Sequence, residues 1–348
     1  MSFDETFKKG TEAMVQGKWG EAPVLLHNAL DCLKKRTSEG GPGARSRNKD
    51  QELEGEVHAK LGFCFRLSGK FEDSRKEYEH VKVIADELKD DRLMSEALVG
   101  LGFVAWRADD HKAARQDFKK AFELATKTHD KYVKGMALMG LGNLALSVRN
   151  LEEGIKAYEE GGPLLEEVPE AKTDHARLLH NLAFLYTTKG DNAKALEIFK
   201  RGLAISEPLG DVHTSGFIHV NMSHIFISMG RLDEADKSLE KGGRLLARSN
   251  DRIGLNLVVW NKGLLKFSRG NSEEAIELYR KARRGYEELG MATQLLYMTI
   301  DFIPVFRATG QIKEAREVFT ALRKHFNEKG LPEMNKKIDE ADKLISSQ

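Results

Sequence analysis

Hydrophobic side chains recur at steps of three and four residues through most of this chain, and residues 177–209 show the pattern most clearly. Apolar residues there fall on one stripe of a helix, and a second stripe follows after a Lys-Gly-Asp turn. Gly190 fits the left-handed position that ends a helix. Because each stripe needs apolar cover that a single helix cannot supply, the stretch predicts an antiparallel helical hairpin. The stripe positions are Leu178, Leu182, Leu185 and Tyr186, followed by Ala195, Ile198, Phe199, Gly202 and Leu203.

The hairpin pattern returns at a fixed period. Gly62, Gly102 and Gly142 lie 40 residues apart in Leu-Gly pairs, and the alanines near the start of the second helices, such as Ala235 and Ala275, keep the same spacing. About eight copies can be counted along the chain. A repeat of this length predicts stacked hairpins, each of which buries its apolar face on its neighbour. We therefore predict an all-α solenoid of about eight helical hairpins.

Two segments fall outside the repeat pattern. Residues 36–51 are rich in glycine, serine and charge and lack an apolar face, which predicts a flexible insert. Residues 332–346 carry apolar side chains on one side and charges on the other, which predicts a helix that caps the last hairpin. Pro304 lies inside a predicted helix of the eighth copy and should kink it. Because a solenoid has no single core, residues 1–348 are predicted to form one domain.

The repeat resembles the tetratricopeptide repeat family over almost the whole chain. The resemblance rests on the Leu-Gly pairs, on the alanine that follows each turn, and on an aromatic residue in the second helix. These aromatic residues are Tyr78, Phe118, Tyr158, Phe199, Tyr279 and Phe319. The spacing exceeds the family's usual period of about 34 residues and is similar to that of kinesin light chains and Pins-type polarity adaptors. The resemblance implies a right-handed α-α superhelix whose first helices line a concave face that binds peptides or proteins.

Composition and charge narrow the classes of function. The 55 basic and 54 acidic side chains nearly balance, so no overall charge favours nucleic acid or an anionic membrane. No apolar run is long enough to span a bilayer and the N-terminus lacks a signal-peptide core. The two cysteines, Cys32 and Cys64, occupy helical apolar positions, so we expect no disulfide and a cytoplasmic location. No catalytic, phosphate-binding or zinc-binding motif occurs, which predicts a protein that is not an enzyme and needs no cofactor.

One inward-facing position is polar in four successive copies. The residue before the Leu of the Leu-Gly pair corresponds to Asn181, Asn221 and Asn261 in the fifth to seventh copies and to Asp301 in the eighth, at a spacing of 40. Asn143 follows the pair of the fourth copy. An amide offers both a donor and an acceptor, so this polar ladder is predicted to hold the backbone of a bound peptide. The alternative is that these asparagines bond to neighbouring helices or to water.

Apolar and aromatic residues surround the polar ladder on the predicted inner face. Such a lining suits an apolar peptide or an amphipathic helix. The alternative is that these side chains pack against adjacent repeats or are covered by the C-terminal tail. Two inward histidines are predicted to donate hydrogen bonds and not to bind metal, because no carboxylate or cysteine completes a ligand set. The partner-binding candidates beside the ladder are Arg177, His180, Phe184, Phe217, His224, Leu257, Trp260 and Tyr297.

Two functions fit this interpretation. The first is a protein–protein interaction scaffold that binds a peptide or an amphipathic helix in its concave groove. The alternative is a regulatory module that senses a ligand or a signalling peptide, as some bacterial regulators with such repeats do. Capture of a chaperone's C-terminal carboxylate is disfavoured, because Met139, Phe217 and Asn221 stand where the resemblance would require basic residues. Self-association through the terminal repeats is left open.

Overall fold

The computed structural model describes residues 2–15, 18, 20–38, 44–148 and 150–346. Over these residues the regular secondary structure is helical, without a β-strand, and consecutive helices pair within each part of the chain. This confirms the predicted fold class, an all-α helical-repeat solenoid. The chain forms two compact units, Met1–Leu185 and Tyr186–Gln348.

The first unit is a row of helical hairpins. Its helices are α1 (Phe3–Val15), α2 (Ala22–Ser38), α3 (Ala44–Leu67), α4 (Phe71–Leu88), α5 (Asp91–Arg107), α6 (His111–Lys127), α7 (Lys131–Ser147), α8 (Leu151–Glu166), a short 3-10 helix (Pro169–Ala171) and α9 (Lys172–Lys189), which contains the boundary between the units. Helix α1 packs on α2, α3 on α4, α5 on α6 and α7 on α8. Since α5 and α7 begin 40 residues apart, the period of the sequence is also the period of the structure.

The second unit continues the same architecture. Its helices are α10 (Asn192–Ser206), α11 (Val212–Ser228), α12 (Leu232–Arg248), α13 (Arg252–Ser268), α14 (Ser272–Glu288), α15 (Ala292–Asp301), α16 (Ile303–Ala308), α17 (Ile312–Glu328) and α18 (Pro332–Ser346). Helix α11 packs on α12, α13 on α14, and α17 on both α16 and α18. The helices α11, α13 and α15 again begin 40 residues apart.

Aspartate side chains mark where the first helices of several hairpins begin. The carboxylate of Asp90 accepts a hydrogen bond from the backbone N–H of Arg92 (2.9 Å) at the start of α5. Asp130 caps α7 and Asp251 caps α13 through the same kind of contact. Each cap contributes about 1 kcal/mol, because it satisfies an N–H group that has no partner within the helix. Glycine marks the end of a first helix. Gly190 directly follows the C-terminus of α9 and has a φ of 88°, the left-handed conformation predicted from its position.

Glycines of the Leu-Gly pairs, and glycines directly before such a pair, make room for an aromatic ring from a second helix. Phe118 of α6 is fully buried against Gly102 of α5 and Gly140 of α7. A Cβ atom on Gly140 would lie 2.3 Å from this ring, which is far closer than real contacts allow. The ring of Tyr78 in α4 packs in the same way on the equivalent glycines one repeat earlier. The glycines therefore set how closely successive first helices approach the second helix between them.

The insert predicted for residues 36–51 lies partly outside the described residues. Helix α2 continues to Ser38 and α3 already begins at Ala44, whereas residues 39–43 lie outside the described residues. The guanidinium of Arg36 lies 3.4 Å from the carboxylate of Asp50, and Asp50 is buried. The arginine, lysine and glutamine residues that follow Ala44 are good helix formers, which favours the early start of α3.

The C-terminal part of the second unit contains a break and a terminal helix. The kink predicted at Pro304 is confirmed, since α15 ends at Asp301 and α16 begins at Ile303. Proline has no N–H group to donate to the preceding turn. Helix α18 buries Ile338 in one apolar cluster with Phe326 of α17. Helix α18 therefore covers the apolar face that the last repeat would otherwise expose to water.

Candidate functional site

The predicted partner-binding residues of the second unit lie on three first helices, α11, α13 and α15. Aspartate caps define the starts of α11 and α13. Residues four and seven positions after Phe217 share its face of α11, because these steps complete one and two helical turns. All of the predicted residues are half-buried except Asn261, which is buried. They are Phe217, Asn221, His224, Leu257, Trp260, Asn261, Tyr297 and Asp301.

Asn261 makes its amide contacts within the protein. Its Nδ2 donates to the carbonyl oxygen of Leu257 one turn earlier (3.0 Å), and its Oδ1 lies 3.2 Å from Nδ1 of His224 on α11. Only 1% of the residue is exposed. This is the arrangement of the alternative interpretation, in which the ladder asparagines bond to neighbouring helices. Asn261 therefore orients the His224 ring and holds α13 against α11.

Asp301, the acidic member of the ladder, lies near His224 and Trp260. Burial raises the pKa of the Asp301 carboxyl, whereas the His224 ring and the indole N–H of Trp260 favour its charged form and lower this pKa. The Trp260 indole also makes an edge-to-face contact with Tyr286, with ring centroids 6.2 Å apart. Together with Asn261, these side chains bring polar groups from α11, α13 and α15 close to one another.

In the first unit, the predicted residues form a second hydrogen-bonded set. Oδ1 of Asn143 accepts hydrogen bonds from the hydroxyl of Tyr158 (2.6 Å) and from Nδ2 of Asn181 (3.0 Å). Oδ1 of Asn181 lies 3.0 Å from Nδ1 of His180. Burial raises the pKa of Tyr158, so its phenol stays protonated and donates. These contacts join α7, α8 and α9, which is again the arrangement of the alternative interpretation.

Arg177 and Phe184, the other two predicted residues of the first unit, are partly accessible to solvent. The guanidinium of Arg177 lies 3.4 Å from the carboxylate of Asp174, and its side chain is 40% exposed. Phe184 is 41% exposed, which is unusual for a large aromatic residue in a helix of this unit. Exposed aromatic surface of this kind is available for contact with another molecule.

A cleft of about 410 Å³ opens in the first unit and is lined mainly by the first helices of the second to fourth copies, α3, α5 and α7. We call it the N-terminal cleft. Its lining includes Met14, Lys60, Phe63, Arg66, Tyr78, Glu96, Val99, Gly100, Tyr132, Met136 and Glu170. Sequence reasoning missed this cleft, although one signal was present. The position that carries asparagine in later copies is Gly100 in the third copy, and its lack of a side chain lets the ring of Tyr78, which lines the cleft, pack against α5.

Neither a metal-binding cluster nor a membrane-spanning helix occurs among the residues that the structure describes. Nε2 of His219 on α11 lies 2.9 Å from Oε1 of Glu207. Within the described ranges, no group of three or more His, Cys, Asp or Glu side chains is arranged to hold a metal ion. No helix within them combines the length and the apolar character needed to cross a membrane.

These observations define the class of protein. It is an all-α array of helical hairpins in which the first helices carry a set of connected polar and aromatic side chains in each unit. The chain belongs to the tetratricopeptide repeat family, whose sequence models match residues 54–127, 133–208 and 218–242. The comparison with curated protein sequences finds no match.

Several solved structures share this fold over nearly the whole chain. The apo form of RapI has a TM-score of 0.62 at 16% identity, covering 99% of this chain and 98% of its own. A Rap protein complexed with competence and sporulation factor has a TM-score of 0.62 at 13% identity, covering 97% and 99%. Aspartyl phosphate phosphatase F from Bacillus subtilis has a TM-score of 0.60 at 15% identity, covering 93% of each chain. At these identities the similarity establishes the fold.

Proposed function

We propose that this protein is a non-catalytic interaction scaffold that binds a peptide or an amphipathic helix of another protein on the inner face of α11, α13 and α15. The observation that carries this proposal is the row of half-buried aromatic and aliphatic side chains on these helices. Phe217, Leu257, Trp260 and Tyr297 supply apolar area, and Asn221 supplies an amide donor and acceptor. An apolar surface with a few oriented polar groups is typical of sites that bind peptides.

The candidate residues have two proposed roles, contact with the partner and positioning of other side chains or helices. We assign positioning of His224 to Asn261, which is buried, and contact with the peptide backbone to Asn221, which is half-buried. Asp301 supplies an acceptor at the α15 side of this face. In the first unit we assign partner contact to the more accessible residues and helix positioning to the hydrogen-bonded ones. The former are Arg177 and Phe184, and the latter are Asn143, His180 and Asn181.

One structural neighbour supports a peptide as the bound partner. The Rap conjugation gene regulator of the plasmid pLS20, which has a similar fold (TM-score 0.58, 13% identity), was solved in complex with the Phr* peptide. That complex also favours a second candidate function, in which this chain senses a signalling peptide and changes conformation on binding it. The proposal that the chain is not an enzyme rests on the absence of a catalytic motif from its sequence.

Selection of a phage-displayed library of random dodecapeptides on the purified full chain tests the proposal. The double variant Phe217→Ala/Asn221→Ala should bind the selected peptides at least roughly tenfold more weakly, because it removes an aromatic contact and an amide from one helix face. Leu209→Ala is the matched control. Leu209 is 46% exposed in the same unit but lies between α10 and α11, away from the inner face.

Two outcomes contradict the scaffold proposal. One is a selection that enriches no peptide. The other is full affinity of the double variant for the enriched peptides, with thermal unfolding unchanged. Small-angle X-ray scattering with and without a selected peptide then separates the two candidate functions. A change in the radius of gyration on binding favours sensing, whereas an unchanged radius favours a passive scaffold.

A further inference from the structure

Two cations of α3 line the N-terminal cleft, and neither makes an ion pair within the described part of the chain. The guanidinium of Arg66 lies 5.1 Å from the ring centroid of Phe63 and 4.8 Å from that of Phe103. Its Nε is buried without a hydrogen-bond partner. The ammonium group of Lys60 likewise lies over an aromatic ring, 5.6 Å from its centroid. A buried N–H of a cation without an acceptor costs free energy, which a bound anion would recover.

Two phenols complete the polar lining of the cleft. Burial raises the pKa of Tyr78 to about 12, although the charge of Arg66 and its hydrogen bond to the phenol act in the opposite direction. The hydroxyl of Tyr132 donates to Asp174 (3.3 Å), and burial together with that carboxylate raises the pKa of Tyr132. Both phenols stay protonated at neutral pH, so they contribute hydroxyl groups and no negative charge.

The carboxylates of the cleft do not cancel its two cations. Glu170 is exposed, so water and salt screen its charge. Burial raises the pKa of Glu96, while the charges of Lys60 and Arg92 lower it. Arg92 itself pairs with Glu56 at 3.2 Å. The interior of the cleft therefore favours a negative ligand beside apolar walls.

We propose that the N-terminal cleft binds a small organic carboxylate with an aromatic or aliphatic body, whose carboxylate contacts Arg66 and Lys60. Phe63 and Met136 contribute apolar walls for the body of the ligand. The volume of about 410 Å³ lies in the range of small-molecule sites. A single carboxylate suits the cleft better than a phosphate, because a second negative charge would lose more hydration beside the apolar walls. This chemistry occurs in free aromatic acids and at the C-terminus of a peptide that ends in an apolar residue.

Calorimetric titration of the full chain tests this site with three probes. These are 1-naphthoate, its neutral analogue 1-naphthamide, and N-acetyl-Leu-Phe with a free C-terminus. At least one of the two acids should bind, and Arg66→Gln and Lys60→Gln should each weaken its binding roughly 10- to 100-fold, the effect of losing a charge-assisted hydrogen bond. Arg107→Gln is the matched control and should leave binding unchanged. The Arg107 guanidinium also lies over a ring, 5.4 Å from the centroid of Phe71, but outside the cleft.

Each outcome of this titration supports or overturns the proposal. Tighter binding of 1-naphthoate than of N-acetyl-Leu-Phe identifies a free acid as the ligand, and the reverse order identifies a peptide C-terminus. The proposal is overturned if neither acid binds at millimolar concentration, or if 1-naphthamide binds as tightly as 1-naphthoate. It is also overturned if the two cleft variants bind like the wild type. If circular dichroism shows that Arg66→Gln does not fold, the result with Lys60→Gln alone decides, because Lys60 is only half-buried and its replacement should be tolerated.

Discussion

Replacing Gly140 by alanine should destabilise the first unit. The added Cβ would lie 2.3 Å from the ring of Phe118, so the ring would have to move by roughly 1 Å to restore an ordinary contact of 3.4 Å or more. The same edge of the ring also meets Gly102, where a Cβ would lie 2.7 Å away. Because α5 and α7 both confine the ring, it has little room to shift. The strain must therefore be absorbed by separating the helices.

The size of the effect follows from two opposing contributions. Overpacking of a filled core costs about 1–3 kcal/mol, and the confinement of Phe118 places this site at the upper end. Alanine is favoured over glycine in a helix by about 1 kcal/mol. We therefore expect Gly140→Ala to lower the free energy of unfolding by about 1–2 kcal/mol. Gly162→Ala in α8 is the control, since its Cβ would meet only Leu178, at an ordinary 3.5 Å. It should change the free energy of unfolding by less than about 1 kcal/mol, because the helix preference for alanine is opposed by Pro163, which disfavours a helical conformation of the residue before it.

Urea unfolding followed by circular dichroism measures both variants. Hydrogen exchange of α5 to α7 localises the effect, because repeat proteins do not always unfold in a single step. Phe118→Leu introduced into Gly140→Ala should cost less than Phe118→Leu in the wild type, since the smaller side chain leaves room for the Cβ. Equal unfolding midpoints for Gly140→Ala and Gly162→Ala would refute the reasoning.

Two further predictions concern titratable groups. Burial lowers the pKa of His219 below 6.5, although its contact with Glu207 opposes this shift, so the folded state favours the neutral ring. This contribution to stability is present above pH 6.5 and is lost as the pH falls through the folded pKa. His219→Gln should flatten that part of the pH profile of thermal unfolding, and an unchanged profile would argue against it. Burial raises the pKa of Cys64 to about 11, so the thiol reagent DTNB should label only the half-buried Cys32 in the native protein, and rapid labelling of both would contradict this.

The side-chain contacts of the polar ladder could not be predicted from the sequence. The recurrence of one polar residue every 40 positions located a special place on the first helices, but it did not give the contacts of each copy. Asn261 bonds to its own helix and lies beside His224, 37 residues away, whereas Asn221 at the equivalent position is half-buried. Which of them can meet a ligand depends on side chains one repeat away. Periodicity along a single helix contains no information about those neighbours.

The N-terminal cleft was missed for a related reason. In the sequence, Lys60 and Arg66 are two charges among others of mixed sign on the first helices of the early copies, and such charges are usually solvated. Their significance depends on α4, α5 and α7, which bring Tyr78, Glu96 and Tyr132 around them. No local pattern indicates that an arginine lacks an acidic partner, since the absence of an ion pair is a property of the folded arrangement.

The amino-acid sequence alone determined the helices, the turns between them and the order of the hairpins, because these depend on interactions within about one helical turn. Apolar residues spaced three and four positions apart, aspartate caps and helix-ending glycines such as Gly190 all act over about one turn. Tertiary structure decided which polar groups face one another, as in the contact of Arg36 with Asp50, and where the inner face stays open. Those features depend on distances between residues that are far apart in the chain, and such distances exist only after the repeats have packed.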